Sequence, residues 1–228
     1  LNPTGQEFFN WGPTDSNVRI KVRKIQKSGA DCIIFVGNAR EGQIFAKAMN
    51  ELDVKIPVFS HWGIVGGGFY KGVGNKVLQK QPWCFIQTRF SFASSELNPY
   101  HSRILSLAKQ LYPNLVNGKH IQSPNGFIHA HDLTLILLKA WEQSGKATPV
   151  NFPELKEHME NLDFAIEGLS KNYLKPFSKF SPENSDAHEA LDIDDLRLGI
   201  FDEKGNVILR SEERRVGKEC RSRWSTYH

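Results

Sequence analysis

Ser60-His61-Trp62, followed by Gly63, is the group of side chains best suited to chemistry in this sequence. An indole can stack on a small ligand while a hydroxyl, an imidazole and amides beside glycine hydrogen-bond it. In the alternative reading, Trp62 packs under its own loop as a minor core. Asn38 and Arg40 follow another apolar run and could hold a carboxylate or an amide, Arg40 in bidentate fashion. The alternative for Arg40 is a solvated residue in the first turn of the next helix.

Other constellations are weaker. His129-Ala130-His131-Asp132 has the residue types of a metal site without its spacing. Residues two apart on a helix point about 200° away from each other, so both imidazoles cannot reach one ion. Hydrogen-bonded histidines at a helix or interdomain surface are the better reading, and no metal or cofactor is expected. Gly63-Ile64-Val65-Gly66-Gly67-Gly68 follows an apolar run but lacks the Lys-Ser/Thr of a phosphate loop and the dinucleotide spacing. A turn is expected there. No G-x-S-x-G elbow is present, and Cys32 and Cys84 fall in apolar strand-like runs, as small buried hydrophobes do. No catalytic residue is assigned. Asp192, Asp194 and Asp195 read as a solvated charged face.

The elements that would position these residues are legible. Val18, Val22 and Ile25 give a helix one apolar stripe, and Gly29 stops it. Cys32-Ile33-Ile34-Phe35-Val36 is an unbroken apolar run, expected to be a parallel strand covered on both faces. Phe45, Ala48, Met49 and Leu52 mark a second helix, and Pro57-Val58-Phe59 begins a second strand. Such alternation means βαβ units, and ligands collect beyond the carboxyl ends of their strands. Those ends are Gly37 to Arg40 and Ser60 to Gly63. Phe69 to Gln79 reads as a Gly-broken loop with one helical turn, and Trp83 to Thr88 as a strand.

Asn98-Pro99 starts another helix, with Tyr100, Ile104, Leu107, Ala108 and Leu111 inward. Ser123-Pro124 opens a helix running to Ser144, apolar enough from Leu133 to Leu138 to be buried nearly all round. Asn151 and Pro153 start a third. Gly168 to Asp195 loosens into a long surface excursion. Leu196 to Phe201 and Val207 to Leu209 then form a hairpin across Asp202 to Asn206.

Composition sets bounds. The chain has 228 residues, 39% hydrophobic and 24% charged, with a net charge of +4. Arg210 to His228 carries +3 of that charge, so no basic stripe elsewhere points to nucleic acid. No apolar run approaches the ~20 residues of a membrane span. Three cysteines suggest no disulfide framework, and a Cys32–Cys84 bridge is not expected. Leu1-Asn2-Pro3-Thr4 carries neither initiator Met nor signal-peptide features, so a truncated or processed start is expected. Residues 210–228 have no apolar period, are dense in Arg and Ser, and resemble a translated vector or adaptor tail; the alternative is a native basic extension.

The run SGADCIIFVGNAREGQIFAKAMNELDVKIPVFSHWGI resembles the second lobe of type I periplasmic binding proteins. The most similar branch is the Leu/Ile/Val- and amide-binding substrate-binding subunits of ABC importers. The order of elements is collinear with that family from about Trp11 to Leu209. The resemblance implies an α/β fold, a parallel-sheet Rossmann-like lobe of a two-lobed flytrap, incomplete at the N-terminus. Residues 1–90 would be a partial second lobe, 91–195 helices belonging to the first, and 196–209 a returning hairpin. It implies a non-enzymatic, extracytoplasmic protein that binds a small polar ligand by lobe closure and works with a membrane permease, without entering the membrane or binding nucleic acid. By this likeness Ser60, His61 and Trp62 contact the ligand's polar head, Val36, Gly37 and Asn38 line the cleft, and Phe127 stands where an aromatic covers the ligand. Trp62 falls where amino-acid binders often carry an acidic residue, which weighs against a simple branched-chain amino acid. The likeness also implies that the first lobe begins upstream, and that the helices starting at Asn98 and Ser123 leave apolar faces uncovered here. Two other classes share such a domain: the sensing ectodomain of a receptor, and an enzyme on a doubly wound sheet.

Overall fold

The computed structural model describes residues 3–93, 97–146 and 149–210. Helix α1 (Asp15–Lys27) buries Val18 and Val22, starts at Thr14, whose hydroxyl accepts from the Asn17 amide, and gives way to Gly29 at φ +70°. Strand β1 (Ile33–Phe35), helix α2 (Ala39–Glu51) and strand β2 (Val58–Ser60) follow. Phe69 to Gln79 contains two short helices rather than one turn in a loop: α3 (Phe69–Val73) and α4 (Asn75–Lys80), broken at Gly74. Phe69 and Val73, one turn apart, are both buried, and that anchoring supplies what the glycines withhold. Strand β3 is Trp83–Thr88.

The sheet is completed late in the chain by β6 (Leu196–Phe201) and β7 (Val207–Leu209), after the short strands β4 (Ile166–Glu167) and β5 (Asn172–Tyr173) have paired with each other. Its order is β1-β2-β3-β6-β7: the first three are parallel, and β6 and β7 are antiparallel to their neighbours. In the β6–β7 turn the Asp202 carboxylate accepts from the amides of Lys204 and Asn206, with Gly205 at φ +81°. The main core lies on one face, where Ile33, Phe35, Val58, Trp83 and Phe85 meet α1 to α4.

The expectation that the Cys32 to Val36 run is covered on both faces needs correction. Ile34 is 78% exposed and Val36 69%, and Cys32 is exposed rather than buried in a core strand. β1 is the edge strand, and the helices packed on the sheet lie on its other face. Cys84, on a central strand, is buried as expected, its sulfur accepting from the Arg210 guanidinium at 3.4 Å, and no bridge joins it to Cys32.

Between β3 and β6 the chain forms α5 (Pro99–Leu111), α6 (Pro124–Gln143), α7 (Phe152–Glu160) and the β4–β5 hairpin. The Asn98 side chain caps α5 by accepting from the His101 amide at 2.7 Å. Two smaller cores hold this block: Ile136, Ala140, Leu155, Leu162 and Ile166, and Phe92, Leu105, Ile128 and Leu169. α6 is not buried all round. Its covered row is Ile128, Asp132, Ile136 and Ala140, whereas Leu133, Leu137 and Leu138 remain exposed because α7 packs along one side only. Leu107 and Leu111 of α5, expected to face inward, are exposed instead because no element packs over that side of the helix, so both helices leave apolar surface uncovered, as the family resemblance implies.

Gly168 to Asp195 is less of an excursion than expected. The buried Asp132 carboxylate anchors its start, accepting from the amides of Leu169 (2.7 Å) and Ser170 (2.9 Å) and from the Tyr173 hydroxyl (2.8 Å). The two connections joining block and sheet run side by side: Thr88 pairs with Leu196, and the Arg89 amide donates to the Asp195 carbonyl at 2.7 Å. The vector-like stretch after Arg210 lies outside the described residues.

Candidate functional site

Parallel pairing of β1, β2 and β3 brings their carboxyl ends to one side of the sheet. β2 ends in Ser60, which is buried, and its hydroxyl donates to the His61 carbonyl at 2.9 Å. The chain then turns through one 3₁₀ turn, Trp62–Ile64. His61 caps that turn, its Nδ1 accepting from the Gly63 amide at 2.6 Å. Accepting at Nδ1 assigns the proton of the neutral ring to Nε2, which leaves a donor for a ligand.

Gly63 is required by sterics. A Cβ there would overlap the His61 ring and come within 2.7 Å of the Gly37 carbonyl oxygen, so only glycine lets the β2 loop lie against the β1 loop. The glycines after it take positive φ and form a turn, as expected.

Trp62 is 41% exposed, so it is not simply a minor core beneath its loop. Its ring stands between two imidazoles: His61 at 6.3 Å and His129, from α6, edge-on at 5.3 Å. His129 Nε2 is buried without a hydrogen-bond partner, and burial pushes its pKa below the ordinary histidine value against the opposing pull of Asp132. Asn38 caps α2 through its backbone alone, leaving its side chain exposed, and Arg40 is exposed in the first turn. Both stand at the neighbouring strand end. Phe127 packs edge-on to Phe92 at 5.5 Å, so the ring that reaches Trp62 from α6 is His129.

His129 joins the assigned set only in three dimensions, and Asn125 and Gln87 stand at the end of β3 beside it. Asn125, one turn before His129, accepts from the Thr88 amide and donates to the Ile86 carbonyl, tying the start of α6 to the end of β3. Gln87 is buried with both polar side-chain atoms unpartnered. A glutamine inside the run Trp83 to Thr88 was the visible signal for it. His129 lay in plain view, but its partner is 67 positions away in the chain.

The other polar clusters are structural. His131 is turned away from its near neighbour, with Nδ1 bonded to Asp132 at 2.8 Å and Nε2 to the Tyr100 hydroxyl at 3.2 Å. Asp192 and Asp195 form a reciprocal cap, the Asp192 carboxylate accepting from the Asp194 amide and that of Asp195 from the Asp192 amide. Lys171 pairs with Asp195. Among the described residues no group of three His, Cys, Asp or Glu side chains could hold a metal ion, and no helix is long and apolar enough to cross a membrane. The site can therefore stack a planar or apolar group on Trp62 and hydrogen-bond polar atoms through His61, His129 and Asn38.

The Trp62–His129 contact is testable directly. Protonated imidazole quenches indole emission, so part of the tryptophan fluorescence should fall as pH drops, with a midpoint below the ordinary histidine value of about 6.5. The His129 component of the transition should be lost in His129→Asn; an unchanged profile in that variant would show that the rings do not touch.

No protein-family model and no curated protein sequence matches the chain. Solved structures do, and the fold they share is that of the type I periplasmic binding proteins, an α/β architecture with a parallel-rich sheet. A type 1 periplasmic binding protein from Bordetella pertussis superposes with a TM-score of 0.66 at 16% identity, over 89% of this chain and 51% of that one. A leucine-binding protein from Thermotoga maritima gives 0.65 at 16% identity, over 90% and 50%. A branched-chain amino acid transporter substrate-binding protein from Streptococcus pneumoniae, solved with isoleucine, gives 0.59 at 15% identity, over 89% and 51%. The chain spans about half the length of these structures.

Proposed function

We propose that this chain is part of the extracytoplasmic solute-binding component of an ABC importer, a non-enzymatic protein that holds a small polar ligand between two lobes. The observation that carries the reading is the Ser60-His61-Trp62 loop. It sits at the carboxyl ends of parallel strands, where α/β sheets bind ligands, with a half-open indole fixed in place by the His61–Gly63 bond. The fold shared with substrate-binding proteins at about half their length supports it. In this reading the sheet of residues 1–90, with the returning hairpin 196–209, is one jaw. Residues 91–195 belong to the other, whose remainder lies in further polypeptide. Asn38, Arg40, Ser60, His61, Trp62 and Phe127 form this chain's share of the cleft, and His129 joins them. Amino acids, amides and related carboxylates fit the hydrogen-bonding groups present. A membrane permease would read the closed state, because only the closed form receives binding energy from both jaws.

The test is a thermal-shift screen of the two-lobed protein against single amino acids, simple amides and short carboxylates. A true ligand at a hundred times its Kd should add about 2.7 kcal/mol of stability. Trp62→Ala should cost little stability on its own, because the ring is half exposed, yet abolish the ligand-induced shift. A Trp62→Ala protein that retains the full shift would remove this loop from the site.

A further inference from the structure

The near-neutral balance of residues 1–209 conceals a split. Residues 1–93 hold twelve Lys and Arg against six Asp and Glu, whereas residues 97–195 hold nine against thirteen. A cationic sheet unit is thus joined to an anionic helical block.

The positive charge is ordered. On α1, Val18, Val22 and Ile25 face the core. Ile20, Arg23, Lys24 and Lys27, spaced i, i+3, i+4 and i+7, form a second stripe on the outward side, and all four are exposed. Ile20 is 58% exposed, an apolar side chain set among three cations. α2 packs against both α1 and α3, and α3 against α4, so the four helices form one layer over the sheet. Lys71, Lys76 and Lys80 are exposed on α3 and α4. Much of the opposing charge is already engaged or covered. Glu7 pairs with Lys21 and Lys24, Glu51 with Arg19 and Asp53 with Lys55, and Glu41 is buried. Among the described residues Arg23, Lys27, Lys71, Lys76 and Lys80 make no ion pair.

The chemistry of this layer selects its partner. α1 to α4 carry no exposed aromatic ring on which a base could stack, and helices packed side by side offer none that stands free to enter a groove. A layer of fixed cations matches a surface of fixed anions, as lipid phosphates present.

We propose that the outer surface of α1–α4 docks on the headgroups of an anionic phospholipid membrane. Arg23, Lys24 and Lys27 lie among the phosphates, and Ile20 reaches the boundary with the acyl chains without any segment crossing it. The acidic block is repelled by the same surface, so the chain sits with its sheet unit toward the lipid. This goes beyond the ligand site and takes from the proposed function only the nearness of a membrane.

Co-sedimentation of the ligand-free 228-residue chain with vesicles of equal parts phosphatidylcholine and phosphatidylglycerol is the test. The chain should bind these vesicles and not phosphatidylcholine alone. Raising salt from about 0.01 M to about 1 M, which shortens the screening length from about 30 Å to about 3 Å, should release it. Each cation at an anionic surface multiplies partition by about fivefold, so Arg23→Gln with Lys27→Gln and Lys76→Gln should weaken binding about a hundredfold. Arg23→Lys with Lys27→Arg and Lys76→Arg should keep it, which separates charge from fold. Removing the same charge from the block, by Lys109→Gln with Lys119→Gln and Lys179→Gln, should change binding less than about twofold. The stretch after Arg210 is common to every variant, so it does not enter the comparison. Binding that survives the first set of substitutions, or falls equally with the block set, would overturn the proposal. So would displacement of the vesicles by an equal phosphate concentration of duplex DNA. Failure here leaves the ligand reading standing, because that is decided by the thermal shift.

Discussion

Changing Asp132 to alanine should lower the unfolding free energy by about 3–5 kcal/mol, read from urea unfolding followed by circular dichroism. The carboxylate is buried on α6, and its loss strands the amides of Leu169 and Ser170 and the Tyr173 hydroxyl, with His131 a fourth partner. These donors come from a stretch that has little regular structure besides the β4–β5 hairpin, so nothing nearby replaces the acceptor. Asp132→Asn keeps one acceptor oxygen and should lose less. The same geometry sets a pH dependence. Burial opposes ionisation, but the bonds from His131, Leu169, Ser170 and Tyr173 outweigh it and hold the Asp132 pKa below the ordinary value. A depressed carboxylate contributes stability that is complete above its unfolded pKa of about 3.9 and is lost as pH falls through the lower folded value. The Asp132→Ala variant should therefore show a shallower decline below about pH 4 than the parent chain. A cost under about 1 kcal/mol would mean that the anchoring bonds are replaced by water.

Phe85→Ala should cost a similar amount, about 3–5 kcal/mol, for a different reason. Phe85 is fully buried in the middle of the sheet, its ring 4.9 Å from that of Phe201. Its cross-strand partner is Gly199, where a Cβ would lie 2.6 Å from the Phe85 ring and 2.9 Å from the Gln87 side chain. The ring thus fills space that a glycine leaves open, and truncating it creates a cavity no neighbour is shaped to fill. Gly199→Ala should also destabilise, by about 1–3 kcal/mol, through overpacking against the same ring. A Phe85→Ala loss below about 2 kcal/mol would indicate that the sheet collapses around the vacancy.

Local signals suffice where one element decides its own form. Val18 and Val22 mark the buried stripe of α1, Trp83 to Thr88 is β3 residue for residue, and Asn98 caps α5. What lay beyond reach was the partner of each face. Ile34 and Val36 have the same sequence pattern whether a helix lies over them or not, so the run could not reveal its open side. Leu133, Leu137 and Leu138 gave a helix hydrophobic all round, yet burial depends on neighbours that periodicity does not encode. The strand-end loop was legible because Trp and Gly after an apolar run are a local pattern. Its contact with His129 was not, since that pairing is made by the docking of α6 through Asn125.

The side-by-side connections at Thr88–Arg89 and Asp195–Leu196 make a narrow two-stranded ribbon the covalent bridge between the sheet and the helical block. A ribbon of that kind flexes readily out of its plane but resists sliding one strand along the other, because sliding breaks the ladder all at once. Any relative motion of the two parts would thereby be channelled into something close to a single swing. The hydrogen bonds by which Asn125 ties the start of α6 to β3 are 3.4–3.5 Å long, at the long limit of a hydrogen bond, and the Trp62–His129 ring contact lies across the same gap. A tilt of the block would stretch those contacts, and His129 would travel with α6, opening or closing the space above Trp62.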